Sequence, residues 1–514
     1  MSPAIASVVV AMGIAGLFWL ERERKTCTSA GLWIPVVWLL ISGSRPVSAW
    51  LHLTPPTDHP DAYLEGSPID RIVLTVLLAL GLIALIKRGQ QVARVLRANG
   101  PILLFFTYCA VSTTWSDYPE VAFKRWIKAL GDLVMVTIVV SDVDPSAAVR
   151  RLLTRVSFLL LPLSVLLVKY YPDLGRGYTY FTWTPFYTGV STDKNGLGLL
   201  CLVCGLGGLW QFLDVLQTRD MPHRRRRLMA QGAVLAMVLW LLSIANSVTS
   251  ISCFVSGGIF IVMTRLFAWS RKPAVIHATV FGVMLLSIFA VFIAPASGLL
   301  ESLGRNPTLT GRTDIWAHVI PLNSNPLLGT GYESFWLGDR LAKMWSIYWW
   351  HPNEAHNGYL EIFLNLGWIG VALLCLLLAT GYRNIFAAYR CDPETGRVRL
   401  AYFVAAVLYS FSEAGFRELT PIWLFFLLAV IAIPTSSITE PMPDFWAEFN
   451  EDRANELVSV GPAFGLELRR KNIDWEITCS LLMPAVLSGL LRAVCAYSPF
   501  EVPQSPCLVR VWRS

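Results

Sequence analysis

Long apolar runs broken by short clusters of charge dominate the chain from its first residues to about position 437. The runs are continuously apolar rather than alternating with period two. Inside hydrocarbon the backbone must satisfy its own hydrogen bonds, which a helix does within one segment, whereas a barrel strand alternates apolar and polar positions. The pattern predicts thirteen helical spans, near 2–20, 29–44, 70–86, 101–115, 126–141, 152–169, 195–213, 229–245, 249–268, 275–294, 357–380, 400–414 and 421–437. A weaker apolar run at 478–497 is either a further span or an interfacial helix. The expected fold class is all-α: a polytopic membrane helical bundle of about 12–13 transmembrane helices, occupying residues 1–437. A tail, 438–514, has no chemistry we can assign.

Composition agrees, with 54% hydrophobic and only 15% charged residues among 514. Residues 2–20 lack a basic start and are followed by charge rather than a small-residue cleavage site, so no cleavable signal peptide is read there. Lys and Arg gather on alternate connections, for example Arg22, Arg24 and Lys25, then Arg150, Arg151 and Arg155, then Arg224 to Arg227. The positive-inside rule places those connections in the cytoplasm and the remaining ones outside. This bias accounts for most of the net charge of +7, so nucleic acid is not an expected partner. None of the ten cysteines falls in an outer connection, and neither disulfides nor a thiolate metal site is expected.

Two outer connections are long, roughly 170–194 and 295–356. The second is too rich in aromatics to be a disordered linker: Trp316, Tyr332, Phe335, Trp336, Trp345 and Tyr348 give it mass to pack as a helical lid on the bundle. It runs through "GRTDIW" (311–316) and "NPLLGTGYESFW" (325–336) and closes with "HPNEAHNGYLEIFLNLGWIG" (351–370). Arg312 falls at a predicted helix start, where its planar fork suits a phosphate or, equally, a local ion pair with Asp314 or Glu333. His356 lies just before another helix, whose free N–H groups and positive dipole end favour an anion. A neutral imidazole there can take a proton from a hydroxyl; the plainer reading is an interfacial histidine bonded to a neighbour, and His351 competes for the role.

Other cations fall on the same side, against the topological bias, and suggest an anionic ligand. "FKRWIK" holds Lys124, Arg125 and Lys128, and "GRGYTYFTWTPFYTGVSTDKNGLG" holds Arg176, a run of aromatics, then Lys194 at the head of a span. The aromatics suit either an interfacial belt or a sugar-stacking platform. "SEAGFRELTP" adds Glu413, Arg417 and Glu418, read as a self-contained ion pair. No zinc constellation, P-loop or nucleotide fingerprint is present in the sequence.

Together "GRTDIW", "NPLLGTGYESFW", "HNGYLEIFLNLGWIG" and "TDKNGLG" resemble the O-antigen ligase and polysaccharide polymerase superfamily, most of all its exopolysaccharide-polymerase branch. The resemblance is strongest over about 190–430 and has no counterpart after 438. It implies a membrane glycosyltransferase with a large periplasmic loop at the inner membrane, an undecaprenyl-diphosphate-linked oligosaccharide donor, and no cofactor or metal. The family's functional arginine and histidine correspond to Arg312 and His356 as catalytic residues, and Lys194 falls on its lysine-asparagine motif. Arg176, Arg125, Arg417 and Tyr359 are added as substrate-binding candidates on physical grounds. Expected partners are the lipid-linked oligosaccharide, membrane lipids, a chain-length regulator and export machinery. Within the family, the acceptor separates a polymerase from a ligase acting on lipid A core. From another class, a polysaccharide flippase or transporter would hold its ionisable groups near the bilayer midplane instead.

Overall fold

A computed structural model describes residues 1–22, 28–53, 59, 62–179, 183–218, 222–267, 272–288 and 312–434. The tail 438–514, its run at 478–497, the end of the predicted span 275–294 and the first part of the loop 295–356 lie outside the described residues.

Each of the thirteen apolar runs contains a helix: α1 (Pro3–Leu20), α2 (Trp33–Ser42), α3 (Pro68–Ile86), α5 (Gly100–Ser112), α6 (Pro119–Val140), α7 (Pro145–Tyr170), α8 (Lys194–Gln217), α9 (Arg224–Ala245), α10 (Val248–Leu266), α11 (Pro273–Ile288), α14 (Gly358–Cys391), α15 (Pro393–Tyr409) and α16 (Pro421–Val430). Seven of these are long and apolar enough to cross a membrane; the pair α4 (Gly89–Ala98) and α5, bent by 87°, is either a broken eighth span or a re-entrant loop. The chain is a multi-pass membrane protein. Several helices begin with a proline preceded by a capping residue, as at Asp144-Pro145 and Asp392-Pro393, where the missing proline N–H costs nothing and the carboxylate accepts orphan amides. α6 starts seven residues earlier than predicted, because Pro119 opens a polar first two turns that hydropathy alone passes over.

The core is one continuous apolar cluster through the bundle, with α8 packed on α9 and α10, and α15 between α10 and α14. A second, smaller cluster lies under the large loop, whose described part carries α12 (Arg312–Val319) and α13 (Gly338–Ile347). There Ile315, Phe335, Trp336, Leu341 and Met344 close around Leu364 of α14. The loop is thus a packed helical cover, as its aromatic content predicts.

α14 is broken at Gly367, whose φ of 63° and ψ of −165° leave the helical region. The break releases carbonyls and amides in mid-helix, and the loop supplies their partners. Thr330 and Gly331 donate to Leu364 and Asn365 at 3.1 and 2.9 Å, and Trp368 donates to the Pro326 carbonyl at 2.9 Å. From α5, the Tyr108 hydroxyl donates to Leu366 at 3.1 Å. Contact is close because both partners lack a Cβ: one on Gly329 would lie 2.4 Å from the Asn365 carbonyl carbon, and one on Gly367 would lie 2.2 Å from the Leu327 oxygen. The motifs "NPLLGTGYESFW" and "LNLGW" are therefore two halves of one joint.

Gly367→Ala adds both that clash and a left-handed backbone, so it should release the loop at a cost of roughly 3 kcal/mol or more. Limited proteolysis of the purified protein checks this: cleavage within 320–356 should become faster than in the wild type, and an unchanged cleavage rate would contradict the account.

Candidate active site

The helices arrange the outer candidates at one end of the bundle, opposite the Arg150 and Arg224 to Arg227 end. α14 begins there with Asn357 as its cap, the side chain accepting from Tyr359 and Leu360 amides at 3.0 Å each. Gly358 donates to the carbonyls of Ser410 and Glu413, at 2.8 and 3.0 Å, which stitches the helix start to the connection 410–420. α8 begins beside it, capped by Asp193. These starts and the connection surround a cavity of about 630 Å³, whose wall includes Lys194, Asn195, Asn353, Glu354, His356 and Glu413.

His356 is the centre of the arrangement. Its Nδ1 lies 2.8 Å from Glu354 and 3.0 Å from Glu413, while Nε2 has no hydrogen-bond partner among the described residues. Burial pushes the imidazole pKa down, but the two carboxylates outweigh it through hydrogen bonds and charge, and hold it up at about 10. The two carboxylates thus favour the protonated ring, where the sequence suggested a neutral one. Burial alone would raise Glu354, yet His356, Arg417 and Arg312 hold it below the ordinary carboxylate range. His356, Glu333 and Leu419 all have left-handed backbones, with φ of 49°, 49° and 56°; each costs about 1–3 kcal/mol, strain of the kind that gathers at functional sites.

Glu413 joins three elements. One oxygen accepts from Arg312 at 2.6 Å and from Asn195 at 3.2 Å; the other faces His356. Arg417 lies on the far side of Glu354, 3.7 Å from it and 3.2 Å from Glu333. For Arg417, burial opposes ionisation but Glu333, Glu418 and Glu354 more than offset it. For Glu333, burial and then Glu418 push the carboxyl up to about 8 against the pull of Arg417. The "SEAGFRELTP" charges are thus not a self-contained pair. Glu413 and Arg417 reach to other elements, and Arg312 chooses Glu413 over the Asp314 or Glu333 expected from spacing.

Of the sequence candidates, His356 and Lys194 line the cavity and Arg312 meets it through Glu413. Lys194 has no hydrogen-bond or ion-pair partner among the described residues, so its ammonium is open to a ligand. The others take protein partners instead. Arg125 donates to the carbonyls of Glu333 and, at 3.2 Å, Tyr63; Arg176 donates to Val168 at 2.9 Å and sits over the Tyr187 ring. Tyr359 donates to Val407 at 3.1 Å between Phe411 and Phe416. His351 is stacked on Trp345, centroids 4.3 Å apart, within the loop's own packing. Sequence reasoning passed over Glu354 and Glu413 as functional residues; the Asn-Glu pair beside His356 was the only local signal for the first. Glu354, His356 and Glu413 also present one donor atom each within 4.8 Å of the others. Both carboxylates turn one oxygen to His356 Nδ1 and the other toward an arginine.

The fold defines a multi-pass helical membrane protein, and the comparisons connect it with polysaccharide biosynthesis. Residues 232–375 match the family described as O-antigen ligase, a stretch that contains both Arg312 and His356. The chain is similar to the exopolysaccharide production protein ExoQ of Rhizobium meliloti, 26% identical over 354 residues, covering 65% of this chain and 77% of that protein. It is also similar to a putative polysaccharide ligase of Rickettsia felis, 26% identical over 306 residues and covering 58% and 71%. A putative polysaccharide ligase of Rickettsia bellii is 31% identical over 148 residues, 28% and 36% of the two chains. The chain is thus similar to the O-antigen ligase family over 232–375 and to these exopolysaccharide and polysaccharide-ligase proteins over more of its length.

A folded pKa raised above the unfolded 6.5 stabilises the protein fully below 6.5, and that contribution fades as pH climbs through about 10. Glu354, with its depressed pKa, loses its contribution only on the acid side. Thermal denaturation should thus show stability falling between pH 7 and 10 more steeply in the wild type than in His356→Gln; equal slopes would contradict the His356 assignment.

Proposed function

We propose that the protein is a membrane polymerase that joins undecaprenyl-diphosphate-linked oligosaccharide repeat units, on the periplasmic side of the inner membrane, in exopolysaccharide or O-antigen biosynthesis. The observation that carries this reading is the cavity wall itself. A histidine backed by two carboxylates faces the space with one ring nitrogen unengaged, an unpaired lysine lies in the same wall, and an arginine sits one carboxylate away.

The chemistry follows from that wall. An acceptor hydroxyl attacks the anomeric carbon of the donor, and its proton passes to Nε2 of a neutral His356 whose Nδ1–H is held by Glu354 and Glu413. As the new C–O bond forms, the bond from the anomeric carbon to the diphosphate oxygen breaks. The electron pair leaves with the lipid diphosphate, whose growing charge Lys194 and Arg312 stabilise in place of a divalent cation. Attack opposite the leaving group inverts the anomeric carbon. A ring protonated in the ligand-free site must shed its proton before this step.

A polymerase is favoured because the likeness to the exopolysaccharide production protein spans 65% of the chain, against 58% for the Rickettsia felis ligase. A ligase that transfers the lipid-linked glycan to lipid A core uses the same wall and is the second reading, favoured by the relatives described as ligases. A flippase fits less well, since the charged groups converge at one end of the bundle.

In a deletion strain complemented at equal expression, His356→Ala and Arg312→Ala should each lower polymer formation by about 10²-fold or more. Glycan length distinguishes the readings: accumulated single repeat units indicate a polymerase, and polymer without its core anchor a ligase. Lipid-linked units trapped in the cytoplasm indicate a flippase, and full-length polysaccharide from both variants would overturn the site.

A further inference from the structure

Within the ligand-free site nearly every charge already has a partner. Arg312 is on Glu413, Arg417 is on Glu333 and Glu354, and His356 is on Glu354 and Glu413. Among the described residues of the cavity wall, an arriving diphosphate therefore meets one open cation, Lys194, and an arginine occupied by a side-chain carboxylate. That carboxylate is itself well placed for a second task. The Glu413 side chain is 6% exposed, and its two oxygens are divided: one receives Arg312 at 2.6 Å and the other faces the imidazole at 3.0 Å.

Resting on the proposed function, we propose that Glu413 is a positioning residue that occupies on Arg312 the place the donor's diphosphate takes, so that donor binding leaves Glu413 to His356 alone. A diphosphate carries more charge than a carboxylate and offers a guanidinium several oxygens to bridge, so it competes for Arg312 on favourable terms. Once Arg312 turns to the phosphates, Glu413 keeps His356 and the Asn195 amide, 3.2 Å away, as its neighbours. Its other oxygen goes on accepting from His356 Nδ1–H, which keeps the ring with Nε2 toward the acceptor. Without donor, Glu413 is shared between Arg312 and His356.

This arrangement makes an unusual demand on one variant. Removing the Glu413 charge frees Arg312 for the ligand while depriving His356 of its orienting partner. Binding should improve as turnover falls, which a merely structural carboxylate would not produce.

The test is isothermal titration of inorganic pyrophosphate into the purified full-length protein in nanodiscs. Glu413→Gln should bind about fivefold more tightly than wild type, the factor matching about 1 kcal/mol of ion pair, and adding Arg312→Gln should abolish the gain. In parallel, transfer from a lipid-linked donor should show a lower KM with a lower kcat. If Glu413→Gln does not fold, Glu413→Asp withdraws the charge by one methylene and should give a smaller gain of the same sign. Equal or weaker pyrophosphate binding by the variants would overturn the role of Glu413 and leave the proposed function standing. Failure of the wild type and every variant to bind pyrophosphate would overturn the diphosphate reading as well.

Discussion

The break in α14 at Gly367 is the constraint on which the rest of the structure depends. A helix interrupted in a buried position exposes backbone groups that the helix itself cannot satisfy, at a cost of about 1–3 kcal/mol each if left unpaired. Here the chain satisfies them with residues 326–331, from the loop that also carries Arg312 and leads on to His356. The loop docks where backbone contacts backbone, at Gly329 and Gly367, and that contact fixes the cover over the bundle end. The small aromatic core around Phe335, Trp336 and Leu364 then makes the docking cooperative with the fold of the loop.

A second constraint is electrostatic. The connection 410–420 sends Glu413 toward Arg312 and His356 and Arg417 toward Glu333 and Glu354. Its end is held by Leu419, whose amide donates to buried Asp132 at 2.9 Å; the other Asp132 oxygen accepts from Trp38 at 2.7 Å. Charges from several parts of the chain thus balance around one cavity, and strained backbones at His356, Glu333 and Leu419 are tolerated because their partners over-determine them. Buried pairs of this kind contribute little net stability but specify one arrangement, and removing either partner leaves an uncompensated charge.

Much of this was legible in the sequence. The apolar runs gave every span a helix, the Pro-Asn-Asp punctuation gave most boundaries, and the ordered motifs pointed to Arg312, Lys194 and His356. Hydropathy could not show that α14 is broken, because Gly367 sits in an apolar run and its positive φ accompanies a close contact with Leu327, far earlier in the chain. Nor could spacing show the partner of Arg312: Glu413 is 101 residues away, whereas Asp314 and Glu333 are near in sequence. Arg125, Arg176 and Tyr359 were chosen for chemistry and side of the membrane, yet their groups are used to tie backbone carbonyls. An arginine that caps a carbonyl and one that awaits a phosphate look alike until the fold supplies or withholds the neighbour.

The central claim is that this wall of Lys194, Arg312 and His356 transfers a glycan from a lipid diphosphate without a metal ion. Its most direct test is purified protein reconstituted with an undecaprenyl-diphosphate-linked repeat unit in excess chelator, following free lipid diphosphate together with the anomeric configuration of the new bond by NMR. The account predicts one lipid diphosphate released per linkage formed, an inverted anomeric centre, and loss of both signals in His356→Ala. Retained configuration, or a strict requirement for a divalent cation, would contradict it.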